Sequence, residues 1–383
     1  MNYILFDDPA IKNALLPLTF TRPVSHIRVG ILTIADKWAH YYKAAPAGYS
    51  TEKYLEPKYP SFSGDAIRIN GAVCPTPTLL QAISSLKPGQ ALQQENTIIA
   101  YNGSAYDQAI PYNEALTVIK NTWDIFSNNG AQIRADFTLI TAGRKSQEIH
   151  DPYTKVYHPE NVFVEDGVQV KAAIINAENG PVYLGRHSQV LEGAIIRGPL
   201  ALCDEAIINM GAKLRGDNTI GPCSKVGGEV SNSVIFGYSN KSHDGFIGNT
   251  VIGEWCNLGA DTNTSNMKNN YGNVQVYNYA AQGFVNTGRQ FCGLVMGDHS
   301  KTGINTMFNT GTVVGVSANI YGGGFLPKFI PSFSWGDNEK TVPYQLEKAL
   351  KTAEVVMSRR KIGFEQADAQ ILEHIYKDTF PEQ

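Results

Sequence analysis

A chain of 383 residues exceeds one ordinary globular core and points to two domains, or to one globular domain joined to a repeat array. Its formal net charge of −3 gives no electrostatic reason to expect nucleic acid or an anionic membrane as a partner. Charged residues make up only 17% while glycines number 36, which favours a turn-rich β protein over a helical bundle.

The first 150 residues or so mix strand and helix signals. Tyr3-Ile4-Leu5-Phe6 is a short apolar strand closed by Asp7-Asp8, where a strand-ending turn is the first reading and a Mg²⁺ ligand the second. Ile67–Ile69, Thr97–Ile99 and Thr138–Ile140 also read as strands. Leu116, Ile119, Trp123 and Phe126 recur at helical spacing, with Asn129-Gly130 as a stop. Strands alternating with helices imply an α/β domain over residues 1–155, with a junction near His150–Pro159.

A different period follows. Every sixth residue from Leu184 is aliphatic: Leu184, Val190, Ile196, Leu202, Ile208, Leu214, Ile220 and Val226. Four residues on stand small or polar ones, such as Ser188, Ala194, Ala206, Ala212, Asn218 and Ser224. After a slip, the phase is expected to resume as Val234, Asn240, Phe246, Ile252 and Leu258, and again as Met296, Thr302, Phe308, Val314 and Ile320. A period of six is neither helical nor a simple alternation. One short strand and one turn per six residues, three units per coil, places every sixth side chain inside a triangular prism. Residues 160–330 are therefore expected to form a parallel β-helix of hexapeptide repeats. Beyond it, residues 340–383 should form a helical tail. Leu346, Leu350, Ala353 and Met357 share one helix face ending in Ser358-Arg359-Arg360-Lys361, and a second helix covers Phe364–Tyr376. The basic cluster reads as a solvated helix end, with a phosphate or coenzyme contact as the alternative.

The five cysteines, Cys74, Cys203, Cys223, Cys256 and Cys292, show no metal-knuckle spacing. Their odd number, with no basic leader before Pro9, suggests free thiols in a reducing compartment. No apolar run reaches membrane-spanning length, so a cytoplasmic protein is expected.

Chemistry is expected where the repeat breaks. The hexads stop at Gly227-Gly228 and re-form through Ser239-Asn240-Lys241-Ser242-His243, so His243 could project from a rigid frame. A neutral imidazole there could take the proton from an amine attacking a thioester, with a backbone N–H steadying the oxyanion. The polar run Asn257, Asp261, Asn263 and Asn266 lies nearby in sequence. A zinc hydratase on the same fold would need closely spaced histidines. His187, His243 and His299 lie far apart in sequence, and a zinc site is poorly supported.

The order Glu229–Ile235, Ser239–His243, Phe246–Asn249 and Ile252–Ala260, continued through Thr262–Asn266 and Met296–Asp298 to Ile320, resembles the acetyltransferase half of the bacterial bifunctional GlmU enzymes. The resemblance covers roughly residues 162–325. It implies a left-handed β-helix that forms a homotrimer and uses acetyl-CoA, with His243 as general base. It also implies Asn257 and Asn266 as amino-sugar contacts, Arg215 as a sugar-phosphate arginine and Tyr271 as a substrate tyrosine. Ser231 and Ile304 depart from the family pattern, where a phosphate-binding lysine and a serine near acetyl-CoA are usual.

The N-terminal half lacks the glycine-rich loop of that family's pyrophosphorylase half, since no glycine precedes Gly30. It carries Leu16–Pro23, His26–Gly30 and Asp36-Lys37-Trp38 instead, and is similar to the divergent nucleotidyltransferase-like domain of GlmU-like proteins of the Bacteroides group. That resemblance implies Arg22, Arg28 and Lys37 as contacts for UTP and a sugar phosphate. Nucleotidyl transfer chiefly needs positioned phosphates and Mg²⁺, and surface salt partners around a proline turn are the competing reading of those cations. The expectation is a transferase converting glucosamine-1-phosphate, acetyl-CoA and UTP into UDP-N-acetylglucosamine. The alternatives are a silent N-terminal domain, action on another nucleotide sugar, or a non-catalytic β-helix scaffold.

Overall fold

The computed structural model describes residues 2–381. Its N-terminal part is a six-stranded sheet in the order β2-β1-β3-β5-β4-β6. The strands are β1 (Tyr3–Phe6), β2 (Gly48–Ser50), β3 (Ile67–Asn70), β4 (Gln90–Gln94), β5 (Thr97–Asn102) and β6 (Gln108–Pro111). β1 pairs in parallel with both β2 and β3, whereas β5 runs antiparallel to β3 and β4. Helices α1 (Pro9–Ala14), α2 (Ile34–Tyr42) and α3 (Pro77–Ser84) cover it. Asp8 caps α1, and a Thr33–Asp36 capping box starts α2.

One element departs from the sequence expectation. Helix α4 (Thr122–Thr141) begins at the Asn121–Asp124 capping box and continues through Asn129-Gly130, so Thr138–Ile140 is helical rather than a strand. Residues 113–121 lie outside any helix, with Val118 bridged to Val73. Asn129-Gly130 does not end the helix because tertiary contacts use both residues. The Asn129 Oδ1 accepts from the Gly30 N–H at 2.7 Å, its Nδ2 donates to the Asp217 carbonyl at 2.9 Å, and Gly130 lies flat against the Asp217 carboxylate.

From Lys155 the chain winds into a parallel β-helix. The first face stacks nine strands, from Val162–Val164 to Phe329–Ile330. One inward column reads Val164, Leu184, Leu202, Ile220, Ile235, Ile252, Met296, Val314 and Ile330. The second face runs from Lys155–Tyr157 to Phe246–Gly248 with the inward column Val156, Ile175, Ile196, Leu214, Val230 and Ile247. The third face carries Val170, Val190, Ile208, Val226 and Lys241 inward. The aliphatic members form one buried core, and the small residues Ser188, Ala194, Ala206, Ala212, Asn218 and Ser224 are fully buried at the turns. Burying a Val, Leu or Ile side chain stabilises by roughly 1.5–3 kcal/mol, so stacking coils supplies the core that a single coil lacks.

The phase across the break differs by one residue from the expected one. Ile235, Lys241 and Ile247 point inward, not Val234, Asn240 and Phe246. Val234 faces outward because the first face is covered on its outside too. The N-terminal domain packs there, and Val234, Phe236, Val251, Val295 and Val313 join its core. An apolar doublet such as Val234-Ile235 serves both layers, so hydrophobicity alone cannot tell which member is inside.

The large excursion from the prism is residues 267–292, not the His243 turn. It contains the antiparallel hairpin Gln275–Asn278/Gly283–Asn286, and Val276 of that hairpin, with Val274 just before it, also enters the N-terminal core. Helices α5 (Leu346–Ser358) and α6 (Gln366–Thr379) pack on Leu55, Val316 and Phe333, joining both halves of the chain.

Candidate active site

His243 is exposed at the corner between the third and second faces. The corner is short and fixed, not looped out. The Asn209 Nδ2 donates to the Ser242 carbonyl at 2.8 Å, and the Asp261 N–H donates to the Asp244 carbonyl at 3.1 Å. Below it, Gly227 has no room for a side chain, because a Cβ there would lie 2.2 Å from the Ser242 carbonyl oxygen. Gly228 has φ +67°, a conformation that favours glycine. From inside the prism, the Lys241 Nζ donates to the His243 carbonyl at 2.6 Å and to the Asp244 carbonyl at 3.0 Å. Burial pushes the Lys241 ammonium down to about 8, opposed by the carboxylates of Asp244 and Asp261.

Asn257 stands outward on the third face in a ladder with Asn240 and Lys301, and it is exposed. Arg215 stands outward on the second face, in a column with Arg197 and Ser231, and its Nε donates to the Glu229 carboxylate at 3.2 Å. Asn266 lies at the far edge of that face, donating to the Asn249 Oδ1 at 2.9 Å. Tyr271 is 65% exposed at the start of the excursion. The chain thus sets His243 at one edge of the second face and Asn266 at the other, about the width of a three-residue strand and its corners apart. Ile304 is 68% exposed on the corner ridge above His243.

The three N-terminal cations are not gathered on an open surface. Arg22 is buried and ion-paired with Asp298, with Glu254 at 3.4 Å, and the Asp298 carboxylate also accepts from the Thr21 hydroxyl at 2.7 Å. Arg28 donates to the carbonyls of Phe236 at 2.9 Å and Ile31 at 2.5 Å. Lys37 is buried against Asp136 at 2.5 Å. Arg22 and Arg28 therefore hold the N-terminal domain to the β-helix, and Lys37 holds α2 to α4. The reason lies in residues far along the chain: Asp298 and Glu254 are corner residues of the β-helix, beyond the reach of local sequence.

At the carboxyl end of β1, where the chain leaves to opposite sides of the sheet, Asp7 accepts from the Val24 N–H at 2.8 Å and the Thr51 hydroxyl at 2.6 Å, and Lys12 lies 3.4 Å away. Asp8 caps α1. Both oxygens of Asp7 are engaged within the protein, as the turn reading expects, and they do not fit a preformed Mg²⁺ site. Among the described residues no group of three or more His, Cys, Asp or Glu side chains could hold a metal ion. Among the same residues no helix is long and apolar enough to cross a membrane. The basic cluster after α5 contributes one contact to the third face, from the Arg360 Nη2 to the Asn240 Oδ1 at 3.1 Å.

An α/β sheet domain docked on a β-helix with a protruding histidine defines a two-part architecture whose relatives are transferases in both parts. Residues 3–145 match the family model described as sugar nucleotidyl transferase. The chain is 30% identical over 162 residues to a bifunctional sugar-1-phosphate nucleotidylyltransferase/acetyltransferase of Sulfurisphaera tokodaii, covering 42% of this chain and 38% of that protein. It is 22% identical over 249 residues to the bifunctional protein GlmU of Synechococcus elongatus, covering 58% of this chain and 50% of that one. The chain thus spans half or less of the length of these curated relatives. Among solved structures, the polySia-specific acetyltransferase NeuO aligns with 53% of this chain and 98% of its own at a TM-score of 0.28 and 15% identity.

Proposed function

We propose that the protein is a bifunctional transferase of amino-sugar nucleotide synthesis. In this reading the β-helix transfers the acetyl group of acetyl-CoA to the amine of glucosamine-1-phosphate, and the N-terminal domain joins the product to UTP, giving UDP-N-acetylglucosamine. One observation carries it: an exposed imidazole on a turn fixed from below, above and inside. His243 acts as general base. It removes a proton from the ammonium-derived amine as the nitrogen attacks the thioester carbonyl, and the thiolate of coenzyme A leaves as the tetrahedral centre collapses. Arg215 receives the sugar phosphate, since a planar guanidinium on an exposed strand can pair with two phosphate oxygens. Asn257, Asn266 and Tyr271 contact the acceptor. A homotrimer, in which a neighbouring copy closes the site over the exposed ridge, and a cytoplasmic location belong to the same proposal.

In the N-terminal domain Mg²⁺ accompanies the triphosphate of UTP, a role that draws most of its ligands from phosphate and water. Arg22, Arg28 and Lys37 would contact nucleotide only after exchanging their present partners. That observation favours a second reading, in which the β-helix is active and the N-terminal domain is silent toward UTP. Incubation with glucosamine-1-phosphate, acetyl-CoA and UTP, followed by mass analysis, separates the cases. UDP-N-acetylglucosamine supports the bifunctional reading, N-acetylglucosamine-1-phosphate alone supports the second, and no acetylated product contradicts both.

A further inference from the structure

A cleft of about 350 Å³ opens where α4 meets the corner between the second and first faces. Its walls come from both halves of the chain: Phe126 and Ser127 from α4, Asp217, Asn232 and Asn249 from three successive corners, and Arg289, Gln290 and Phe291 from the excursion. The volume lies at the small end of the range for small-molecule sites, roughly 300–1,000 Å³.

The polar groups in this cleft are held in place yet leave bonding capacity unused. The Asp217 N–H donates to the Asn232 Oδ1 at 3.0 Å and its carbonyl accepts from Asn129 at 2.9 Å, so the backbone is fixed. Its carboxylate makes no hydrogen bond among the described residues, although α4 presses against it. A Cβ on Gly130 would stand 2.3 Å from that carboxylate. The amide nitrogens of Asn232 and Asn249 and the guanidinium of Arg289 likewise have no hydrogen-bond partner among the described residues, whereas the Oδ1 atoms of both asparagines are engaged. A free carboxylate acceptor beside free amide and guanidinium donors, with the Phe291 ring 44% exposed at the rim, matches a ligand that both donates and accepts through many hydroxyls and offers one apolar face. Burial raises the Asp217 carboxyl against the opposing charge of Arg134 on α4, so what the cleft offers beside it is the neutral amides of Asn232 and Asn249, with the exposed Arg289 at the rim. The phosphate-compatible cations, Arg197 and Arg215, stand on the adjoining strands of the second face.

We propose that this cleft is a saccharide-binding subsite at the seam of the two domains, which captures the sugar 1-phosphate at the edge of the second face away from His243, ahead of its passage to that corner. It rests on the reading that the substrate is an amino-sugar phosphate, and it adds residues that the acyltransferase resemblance does not supply. The cleft shares the Asn249–Asn266 hydrogen bond and the contact from Gln290 to the Tyr271 carbonyl, at 2.9 Å each, with the acceptor contacts named above. It therefore extends the acceptor surface toward the N-terminal domain, where the acetylated product would be needed next.

The test uses the full-length chain with glucosamine-1-phosphate and acetyl-CoA under steady-state conditions. Removing one charged hydrogen-bonding partner should weaken sugar binding about tenfold or more. Asp217→Asn and Phe291→Ala are therefore expected to raise the KM for glucosamine-1-phosphate about tenfold while the KM for acetyl-CoA stays within about twofold. Gln290→Ala, at an exposed position, should raise the sugar KM severalfold and guards against a folding defect in Asp217→Asn. A wild-type protein that acetylates the sugar phosphate while the sugar KM ignores all three substitutions overturns the cleft alone. A wild-type protein that fails to acetylate it overturns the function on which the cleft rests.

Discussion

Lys241 occupies a position that the repeat reserves for an aliphatic side chain, and replacing it separates stability from positioning. In Lys241→Met the thioether fills the inward slot between Val226 and the coil above. A lysine brought from 10.5 to about 8 carries its charge at a cost. The full shift would be worth about 3 kcal/mol at pH 7, and about 2 kcal/mol is reasonable because the Nζ end reaches a partly solvated corner. The sign follows from proton counting. Between pH 8 and 10.5 the unfolded chain holds a Lys241 proton that the folded one has lost, so the Lys241 contribution to stability rises with pH across that window, against the opposite trend of the buried thiols of Cys74, Cys203, Cys256 and Cys292, which burial pushes up. The substitution removes this penalty but also removes two charge-assisted hydrogen bonds to the His243 and Asp244 carbonyls. Those carbonyls sit at a corner that water can reach, so the two effects nearly cancel in stability. The His243 turn, however, loses its interior anchor. We expect the melting temperature at pH 7 to stay within a few degrees of wild type, the variant to lose stability relative to wild type as pH rises from 8 to 10.5, and kcat for acetyl transfer to fall about tenfold with the KM for acetyl-CoA unchanged. Thermal melts from pH 7 to 10.5 and steady-state kinetics at pH 7.5 read these quantities. An unchanged kcat with a variant-to-wild-type stability difference that is flat from pH 8 to 10.5 would refute the assignment of Lys241 as a buried positioning residue.

Three further outcomes follow from the packing. Asp298→Ala leaves the buried Arg22 guanidinium without its main partner, and breaking such a pair should cost about 3–5 kcal/mol, read as a lower denaturation midpoint. Burial pushes His299 down to about 3 and His26 down to about 4, so both are neutral in the fold, whereas the unfolded chain protonates them near pH 6.5. Stability should therefore fall as pH drops from about 6.5 toward 4, and a urea midpoint that is flat across this range would contradict the buried neutral imidazoles. Gly227→Ala should lower stability by a few kcal/mol, since its methyl would meet the Ser242 carbonyl oxygen at 2.2 Å, and calorimetry against wild type measures it.

The β-helix was legible in the sequence because its interior has one strict demand, an aliphatic side chain at each corner turn of the prism, and Leu184 to Val226 meets it without exception. The strands β1, β3 and β5 and both C-terminal helices were also readable from local pattern. The phase just past the break, at Val234, Asn240 and Phe246, was not, although it holds again from Ile252 through Ile320, and there are two reasons. The first face is apolar on both sides, and the inward residue at the break is a lysine that finds carbonyl partners within its own turn. Helix α4 runs on past Asn129-Gly130 because that pair, a stop signal in isolation, is consumed by contacts to Gly30 and Asp217. Of the site, His243 could be singled out from the break in the repeat. The partners of Arg22, Arg28 and Lys37 could not, since Asp298, Phe236 and Asp136 lie about 100 to 280 residues away and only the docked domains bring them together.

The claim on which the account turns is that the imidazole of His243 takes the proton during acetyl transfer. The direct measurement is the rate of coenzyme A release from acetyl-CoA in the presence of glucosamine-1-phosphate, for wild type and for His243→Ala at matched folded concentration. Loss of a general base should lower kcat by roughly 10²–10⁴-fold with the melting temperature preserved. A His243→Ala protein that releases coenzyme A at the wild-type rate would contradict it.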